Sequence, residues 1–264
     1  MRMVSIASGS SGNCIYVGSD ETHILIDAGI SNKRIEKGLN EIGVTGNDLD
    51  GILITHEHSD HIKGLGVLAR KYGTPIYSTK ETLEEIGNVK SLGDYPRELF
   101  RPICHDVDFY IGDLEIKPFR IDHDAANPVA YRVQNNRRSV AVATDMGHYS
   151  QYIIDHLQGL DAILLESNHD VKMLEAGPYP YYLKTRIASQ RGHLCNEENA
   201  ATLVRLLENG CERFALCHIS QENNTPELAL ESVRAALLGA GVVPGRDCVV
   251  NAARRHEVSP IIEF

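Results

Sequence analysis

The sequence predicts an α+β fold, an αββα sandwich in which two mixed β-sheets pack together with helices outside. Three observations lead there. The chain opens on three short apolar runs joined by tight turns. Strand-rich stretches are then followed, in each half, by alternating helical and strand patterns. Finally, no low-complexity segment, fixed-period repeat or Ser/Gly/Pro linker divides the chain. With 264 residues and 42% apolar content, a single domain spanning 1–264 is expected to bury a full core.

In order, 4–6, 14–17 and 23–26 read as strands, turned at 9–12 and 18–21, and are expected to lie antiparallel. Residues 31–42 follow as a helix, 51–55 as an apolar strand, and 62–72 as an amphipathic helix stopped by Gly73 ahead of Pro75. From 100 to 142 the pattern returns to strands, with Gly112-Asp113 and Asn135-Asn136 as hairpin-type turns. Beyond that, 149–157, 197–208 and 226–238 read as helices, alternating with strands at 162–165, 214–217 and 249–250.

The longest apolar runs, such as 24–26 and 162–165, fall far short of the roughly 20 residues that span a bilayer. The N-terminus carries no basic region followed by a long apolar stretch and a cleavage site. The expectation is a soluble, cytoplasmic protein with no membrane partner. Six cysteines, Cys14, Cys104, Cys195, Cys211, Cys217 and Cys248, form no CxxC pair, so neither a zinc ribbon nor a disulfide framework is indicated, and buried reduced thiols are expected. A formal net charge of −10 argues against a protein that coats nucleic acid non-specifically, because counterion release rewards a basic face. It leaves a nuclease open, since aspartates at metal sites contribute to that charge and bound cations reverse its sign locally.

The chemistry concentrates in Thr55-His56-Glu57-His58-Ser59-Asp60-His61, between a strand and a helix. A lone histidine is more often a surface or hydrogen-bonded residue than a ligand. Packing three imidazoles and a carboxylate so closely, however, carries a desolvation and repulsion cost unless a cation compensates. Ligands two residues apart on an extended segment point the same way, so His56 and His58 suit one metal. Asp60 and His61, after the chain turns, suit a second a few ångströms away.

This loop resembles the HxHxDH signature of the metallo-β-lactamase superfamily, and further features fall in that family's order. The resemblance implies the metallo-β-lactamase fold. Asp27, closing Leu25-Ile26-Asp27, looks like the carboxylate that orients the histidine loop without binding metal itself. His123 looks like the third ligand of the first metal, Asp145 like the carboxylate shared by both, and His218 like the last ligand of the second. Seven ligands leave open positions and a shared water acidified to near neutrality, with Asp60 placed to orient the resulting hydroxide or carry its proton. The donors, without cysteine, suit zinc, manganese or iron.

Residues that are not ligands narrow the branch. The loop Ser8-Gly9-Ser10-Ser11-Gly12-Asn13 either offers Ser10, Asn13 and backbone amides to an anionic substrate or is a plain hairpin turn. Glu166-Ser167-Asn168-His169-Asp170 places polar groups, Asn168 among them, where a strand ends. Gly192-His193-Leu194 precedes a helix starting near Asn196, which is positioned to cap it and present amides to a phosphate. His193 is a candidate acid for a leaving alkoxide or a phosphate binder, the alternative being an ordinary loop histidine. The strip at 178–186, with Lys184, Arg186 and then Arg191, combines tyrosines with cations in an otherwise acidic chain. It reads as a stacking and phosphate-binding surface, or as core tyrosines beside solvated cations.

Together the SGSSGN start, the THEHSDH loop, the ESNHD segment, the GPYPYYLKTR strip, the RGHL turn and the HIS-QENN stretch resemble the WalJ/YycJ family. That resemblance implies a manganese-activated 5′ to 3′ exonuclease on double-stranded DNA, associated with DNA repair and its proteins. Larger nucleases of the superfamily add a β-CASP domain or an RNA-gripping arm, for which this length has no room. Nucleic acid would be gripped by the core and the 179–191 insertion, or by a second subunit of a homo-oligomer. The competing reading is a small-molecule hydrolase of a thioester, lactone or cyclic phosphodiester with a tighter pocket. Cations of the insertion bordering the metals favour the nuclease; cations pointing away favour the small-molecule enzyme. A regulatory module without catalysis would need a damaged ligand set, and all seven positions are intact.

Overall fold

A computed structural model describes residues 1–263 as two compact units. The first comprises Met1–Arg120, Ala125–Arg137 and the segment from Arg254; the second comprises Ile121–Asp124 and Arg138–Ala253.

In the first unit, β1 (Arg2–Ala7), β2 (Cys14–Gly18) and β3 (His23–Ile26) pair antiparallel. The strands β4 (Gly51–Leu53), β5 (Ile76–Thr79) and β6 (Phe100–Ile103) then add in parallel. Every residue of β2 and β4 is buried, which is why they read as apolar runs rather than alternating strands. Helix α1 (Asn32–Glu41) buries Ile35, Gly38 and Leu39. A Cβ on Gly38 would sit 2.3 Å from a methyl of Ile6, so glycine lets this helix lie directly on β1.

The helix expected at 62–72 is two pieces, α2 (Ser59–Ile62) and α3 (Leu65–Tyr72). The break has a packing cause: at Gly64 a Cβ would stand 2.1 Å from the Ile30 carbonyl oxygen, and the Gly64 N–H donates to Ala28 O instead of into a helix. Gly73, with φ 67°, closes α3 as expected. The helix α4 (Lys80–Asn88) and β5, neither anticipated from the sequence, complete a third strand-helix step. A meander of β7 (Phe109–Ile111), β8 (Leu114–Arg120) and β9 (Val129–Gln134) follows, with its first turn at Gly112 as expected. The buried Tyr131 hydroxyl donates to Ile54 O at 2.9 Å, tying β9 to the end of β4.

In the second unit four strands run parallel: β10 (Ser139–Ala143), β11 (Ala162–Glu166), β12 (Arg213–Cys217) and β13 (Val249–Ala252). Between them lie α5 (Gln151–His156), α6 (Val171–Ala176), α7 (Tyr181–Ile187), α8 (Asn196–Glu208) and α9 (Pro226–Gly239). Thr225 caps α9 by accepting from Leu228 N, with Pro226 in its first turn. The chain ends its described course in β14 (Ile262–Glu263), antiparallel to β1 in the first unit. Among the described residues no helix is long and apolar enough to cross a membrane. All six cysteines are free; Cys14, Cys211, Cys217 and Cys248 are buried, but Cys104 is exposed and Cys195 half-buried, which corrects the expectation of burial for those two.

Candidate metal centre

Four residues singled out in the sequence lie where parallel strands end, Asp27 after β3, His56 after β4, Asp145 after β10 and His218 after β12, and Glu166 stands in the same way at the tip of β11. Three of them, Asp27, Asp145 and His218, hold φ of 62°, 61° and 50°. Left-handed backbone at a non-glycine residue costs on the order of 1–3 kcal/mol and persists where surrounding structure imposes it, commonly at functional sites. Here it turns each side chain sharply off its strand.

In the first unit Asp27, fully buried, organises the histidine loop. Its carboxylate accepts from Thr55 N at 2.9 Å, from the Thr55 hydroxyl, and from His61 Nδ1 at 2.7 Å. With Nδ1 so engaged, His61 turns Nε2 outward, as a ligand requires. His56 Nε2 and His58 Nδ1 stand 3.0 Å apart. Two nitrogens about 2.0–2.1 Å from a shared ion would lie little farther apart than this, so the pair fits a divalent cation. Asp60 Oδ2 is 3.6 Å from His61 Nε2.

The serine-glycine loop is locked to these residues. Asn13 N donates to Asp60 O and the Asn13 side-chain amide lies 3.1 Å from His61 Nε2, while Asn13 Oδ1 accepts from Gly9 N. Glycine is required here twice over: Gly12 has φ 138° with the Gly29 carbonyl where a Cβ would go, and a Cβ on Gly29 would overlap the Asp60 carbonyl. The loop is therefore a bracket for Asp60 and His61 and more than a plain turn. Asn13 touches His61, an expected ligand, and Ser10 is exposed at the tip.

In the second unit His123 donates Nδ1 toward Gly192 O at 3.2 Å, leaving Nε2 4.0 Å from Asp145 Oδ1. The same oxygen lies 3.5 Å from His218 Nε2 and 3.6 Å from His193 Nδ1. Asp145, Glu166, His193 and His218 each bring one ligand-capable atom within 4.8 Å of the others. Acceptor-only carboxylates among imidazoles, in a buried pocket without thiolates, suit a divalent cation.

Glu166 was not singled out from sequence. Its Oε1 accepts from both His193 Nδ1 at 2.8 Å and His218 Nδ1 at 3.0 Å, and its Oε2 from Met146 N at 2.9 Å. Burial pushes its pKa up, but the histidines on either side reverse this and hold the carboxyl well below the usual range. The only sequence signal was a carboxylate ending the apolar run 162–165.

Other expected contacts fall differently. Asn168 is buried behind His218, donating to its carbonyl oxygen at 2.9 Å, so it supports an expected ligand rather than facing an open surface. Asn196 does not cap α8, whose N-cap is Cys195. Its side chain instead joins Ser167 and Asn224 in a buried network. Lys184 donates to Glu175 O, toward α6. Arg186 pairs with Asp124, and the Arg191 guanidinium donates to the His123 carbonyl at 2.9 Å, so these two cations border a histidine expected to bind metal. Tyr181 and Tyr182 are 84% and 74% exposed, which removes the alternative that they are core residues.

Beside this cluster, burial pushes the His169 imidazole down to about 4, and its Nδ1 has no hydrogen-bond partner among the described residues. Its folded pKa lies below the unfolded value, so as pH falls from about 6.5 toward 4 the unfolded chain takes up a proton that the folded chain refuses. Stability is therefore lost over that window, by about 3 kcal/mol at full shift. His169→Gln should remove this part of the acid sensitivity: urea midpoints of wild type and variant are expected to differ more in the variant's favour at pH 5 than at pH 7. A pH-independent difference would show that His169 does not titrate abnormally.

The fold and these residues define a class. A family model described as a beta-lactamase superfamily domain matches residues 22–219. The metallo-β-lactamase-fold protein YhfI from Bacillus subtilis superposes with a TM-score of 0.71 over 98% of each chain at 17% identity, which speaks for the fold alone. The expected sandwich, two mixed sheets with flanking helices, is thus the fold of this chain. Exodeoxyribonuclease YycJ of Bacillus anthracis is 43% identical over 97% of this chain and 94% of its own, and exodeoxyribonuclease WalJ of Streptococcus pneumoniae is 42% identical over 98% and 96%. The chain belongs to the WalJ/YycJ family of metallo-β-lactamase-fold proteins.

Proposed function

We propose that the chain is a metal-dependent 5′ to 3′ exodeoxyribonuclease acting in DNA repair in the cytoplasm. The observation that carries this over small-molecule hydrolysis is the placement of Arg191 and Arg186 against His123 and Asp124, beside the exposed Tyr181 and Tyr182. Cations next to a metal ligand neutralise phosphates, and exposed aromatic rings stack bases. Relatives named exodeoxyribonucleases that match nearly end to end support the same reading.

We assign His56, His58 and His123 to one divalent ion and Asp60, His61 and His218 to a second, with Asp145 shared, as the order of the motifs implies. Ions held there, manganese or zinc, would supply a nucleophilic hydroxide at neutral pH and would neutralise charge developing on the phosphate. Asp60 orients the attacking water. His193, held through Nδ1 by Glu166, directs Nε2 toward the substrate and protonates the departing 3′ oxygen. Arg191 binds a non-bridging phosphate oxygen. The two units work as one catalytic domain.

The test is metal-loaded protein, with Mn²⁺ and separately Zn²⁺, on duplex DNA labelled at the 5′ or 3′ end. Stepwise release from the 5′ end is expected, weakened about tenfold in KM by Arg191→Ala. Intact DNA under either metal, together with turnover of a small thioester or cyclic nucleotide, would move the chain to the small-molecule branch.

A further inference from the structure

The first unit contains a cavity of about 320 Å³ that none of the candidate metal-centre residues lines. It lies against α1 and the segment after Arg254, on the side of β1 that α1 covers. Its apolar floor is Ile6, Ile30 and Val258, and three cations, Arg34, Lys37 and Arg254, surround it. Gly38 completes the wall; any side chain there would collide with Ile6 and fill the space.

Two carboxylates also line it, but each is already turned to a neighbouring cation: Glu41 lies 3.6 Å from Lys37 and Glu257 3.5 Å from Arg254. Both pairs are exposed and local in sequence, a kind that exchanges readily for a stronger anion. Arg34 donates to the Arg255 carbonyl at 3.5 Å, a long hydrogen bond. With Glu41 and Glu257 in the same lining, the three cations leave this cavity net positive in a chain of net charge −10.

The cavity is also connected to the histidine loop. Ala28 N donates to His61 O, Gly29 packs on the Asp60 carbonyl, and the next residue, Ile30, forms part of the cavity floor.

We propose that this cavity binds a nucleotide, its phosphate held by Arg34, Lys37 and Arg254 and its sugar or base lying on Ile6, Ile30 and Val258. The proposal rests on the nuclease reading for its choice of ligand. Two sources offer the same chemistry: a nucleotide of the bound strand, upstream or downstream of the bond being cut, and a released mononucleotide.

The experiment titrates zinc-loaded protein with thymidine 5′-monophosphate, and separately with a non-cleavable phosphorothioate single strand, following backbone amide shifts. Saturable shifts at Ile6, Gly38 and Val258 are expected, lost in an Arg34→Ala/Arg254→Ala double variant whose remaining amide spectrum is unchanged. Absence of those shifts with both ligands, or their persistence in the double variant, overturns the proposal. A strand nucleotide is the source if the variant also raises KM for duplex DNA about tenfold and lowers the slope of log affinity against log salt by about 1 for each phosphate contact removed. A released nucleotide is the source if KM is unchanged and product inhibition is relieved. Hydrolysis of bis(p-nitrophenyl) phosphate, too small to reach the cavity, should be the same in wild type and variant. DNA cleavage without nucleotide shifts defeats the cavity and leaves the nuclease standing; shifts without DNA cleavage do the reverse.

Discussion

Asp145→Asn is expected to lower metal-dependent turnover by about 10³-fold and to release metal, with little loss of stability. One carboxylate oxygen of Asp145 stands within 4.0 Å of nitrogens on His123, His193 and His218. Imidazoles crowd around an acceptor-only group, and the negative charge that makes a shared cation favourable at this point is its own. Asparagine keeps the shape, removes the charge and adds donors where a cation should sit. Loss of a preorganised electrostatic partner costs about 10²–10³ in turnover, and on the proposed assignment loss of the shared carboxylate would act on both ions at once. The choice of asparagine is deliberate. Asp145 has φ 61°, which asparagine tolerates nearly as well as aspartate, whereas alanine would add backbone strain and confuse a catalytic loss with a folding one. Turnover on labelled duplex DNA, metal content by mass spectrometry and the thermal midpoint should be read on the same preparation. A variant that keeps its full metal content and turns over within tenfold of wild type would remove Asp145 from the centre.

How far the sequence revealed this centre depends on how local each signal is. His56, His58, Asp60 and His61 crowd into six residues, so the electrostatic argument needs no tertiary structure. Asp27, His123, Asp145 and His218 are isolated in the chain and became candidates through order and strand ends, where the left-handed backbone of three of them now gives a physical reason. Glu166 stayed hidden because its meaning is wholly tertiary: its partners are 27 and 52 residues away and meet it only once the parallel strands align. Orientation was likewise illegible. Asn168 and Lys184 share segments with functional residues, yet the side chain of each is committed to a neighbouring carbonyl. For the fold, short apolar runs announced most of the strands, though not β5. The helix at 62–72 broke in two because its periodicity carries no record of the Ile30 carbonyl pressing on Gly64. The short helices α6 and α7 escaped notice because six or seven residues give too few turns for an apolar stripe to stand out.

Glu166→Gln follows from that hidden geometry and separates positioning from catalysis. The buried carboxylate satisfies three donors at once, His193 Nδ1, His218 Nδ1 and Met146 N. A glutamine offers one oxygen and one NH₂ in its place. If the oxygen stays between the histidines, the NH₂ meets the Met146 N–H donor to donor; if it flips, both imidazoles lose their acceptor. The first arrangement leaves the imidazoles an uncharged acceptor beside two clashing donors, and the second frees both to change tautomer, so that the His218 nitrogen meant for metal carries a proton and a protonated His193 loses the carboxylate that stabilises it. Partners that orient ligands in this way are worth about 10–100-fold in metal affinity or activity. Turnover of Glu166→Gln should therefore fall about 100-fold with KM for DNA nearly unchanged, and the alkaline limb of its pH profile, where a general acid is lost, should move. Combining it with His193→Gln tells which histidine transmits the effect. If Glu166 acts mainly through His193, the double variant is scarcely worse than His193→Gln alone, because residues acting as a unit are not additive. If it acts mainly through His218, the two losses multiply and metal content falls with Glu166→Gln by itself. An unchanged pH profile with full activity would show that the short hydrogen bonds to Glu166 hold the strands together and leave the chemistry untouched.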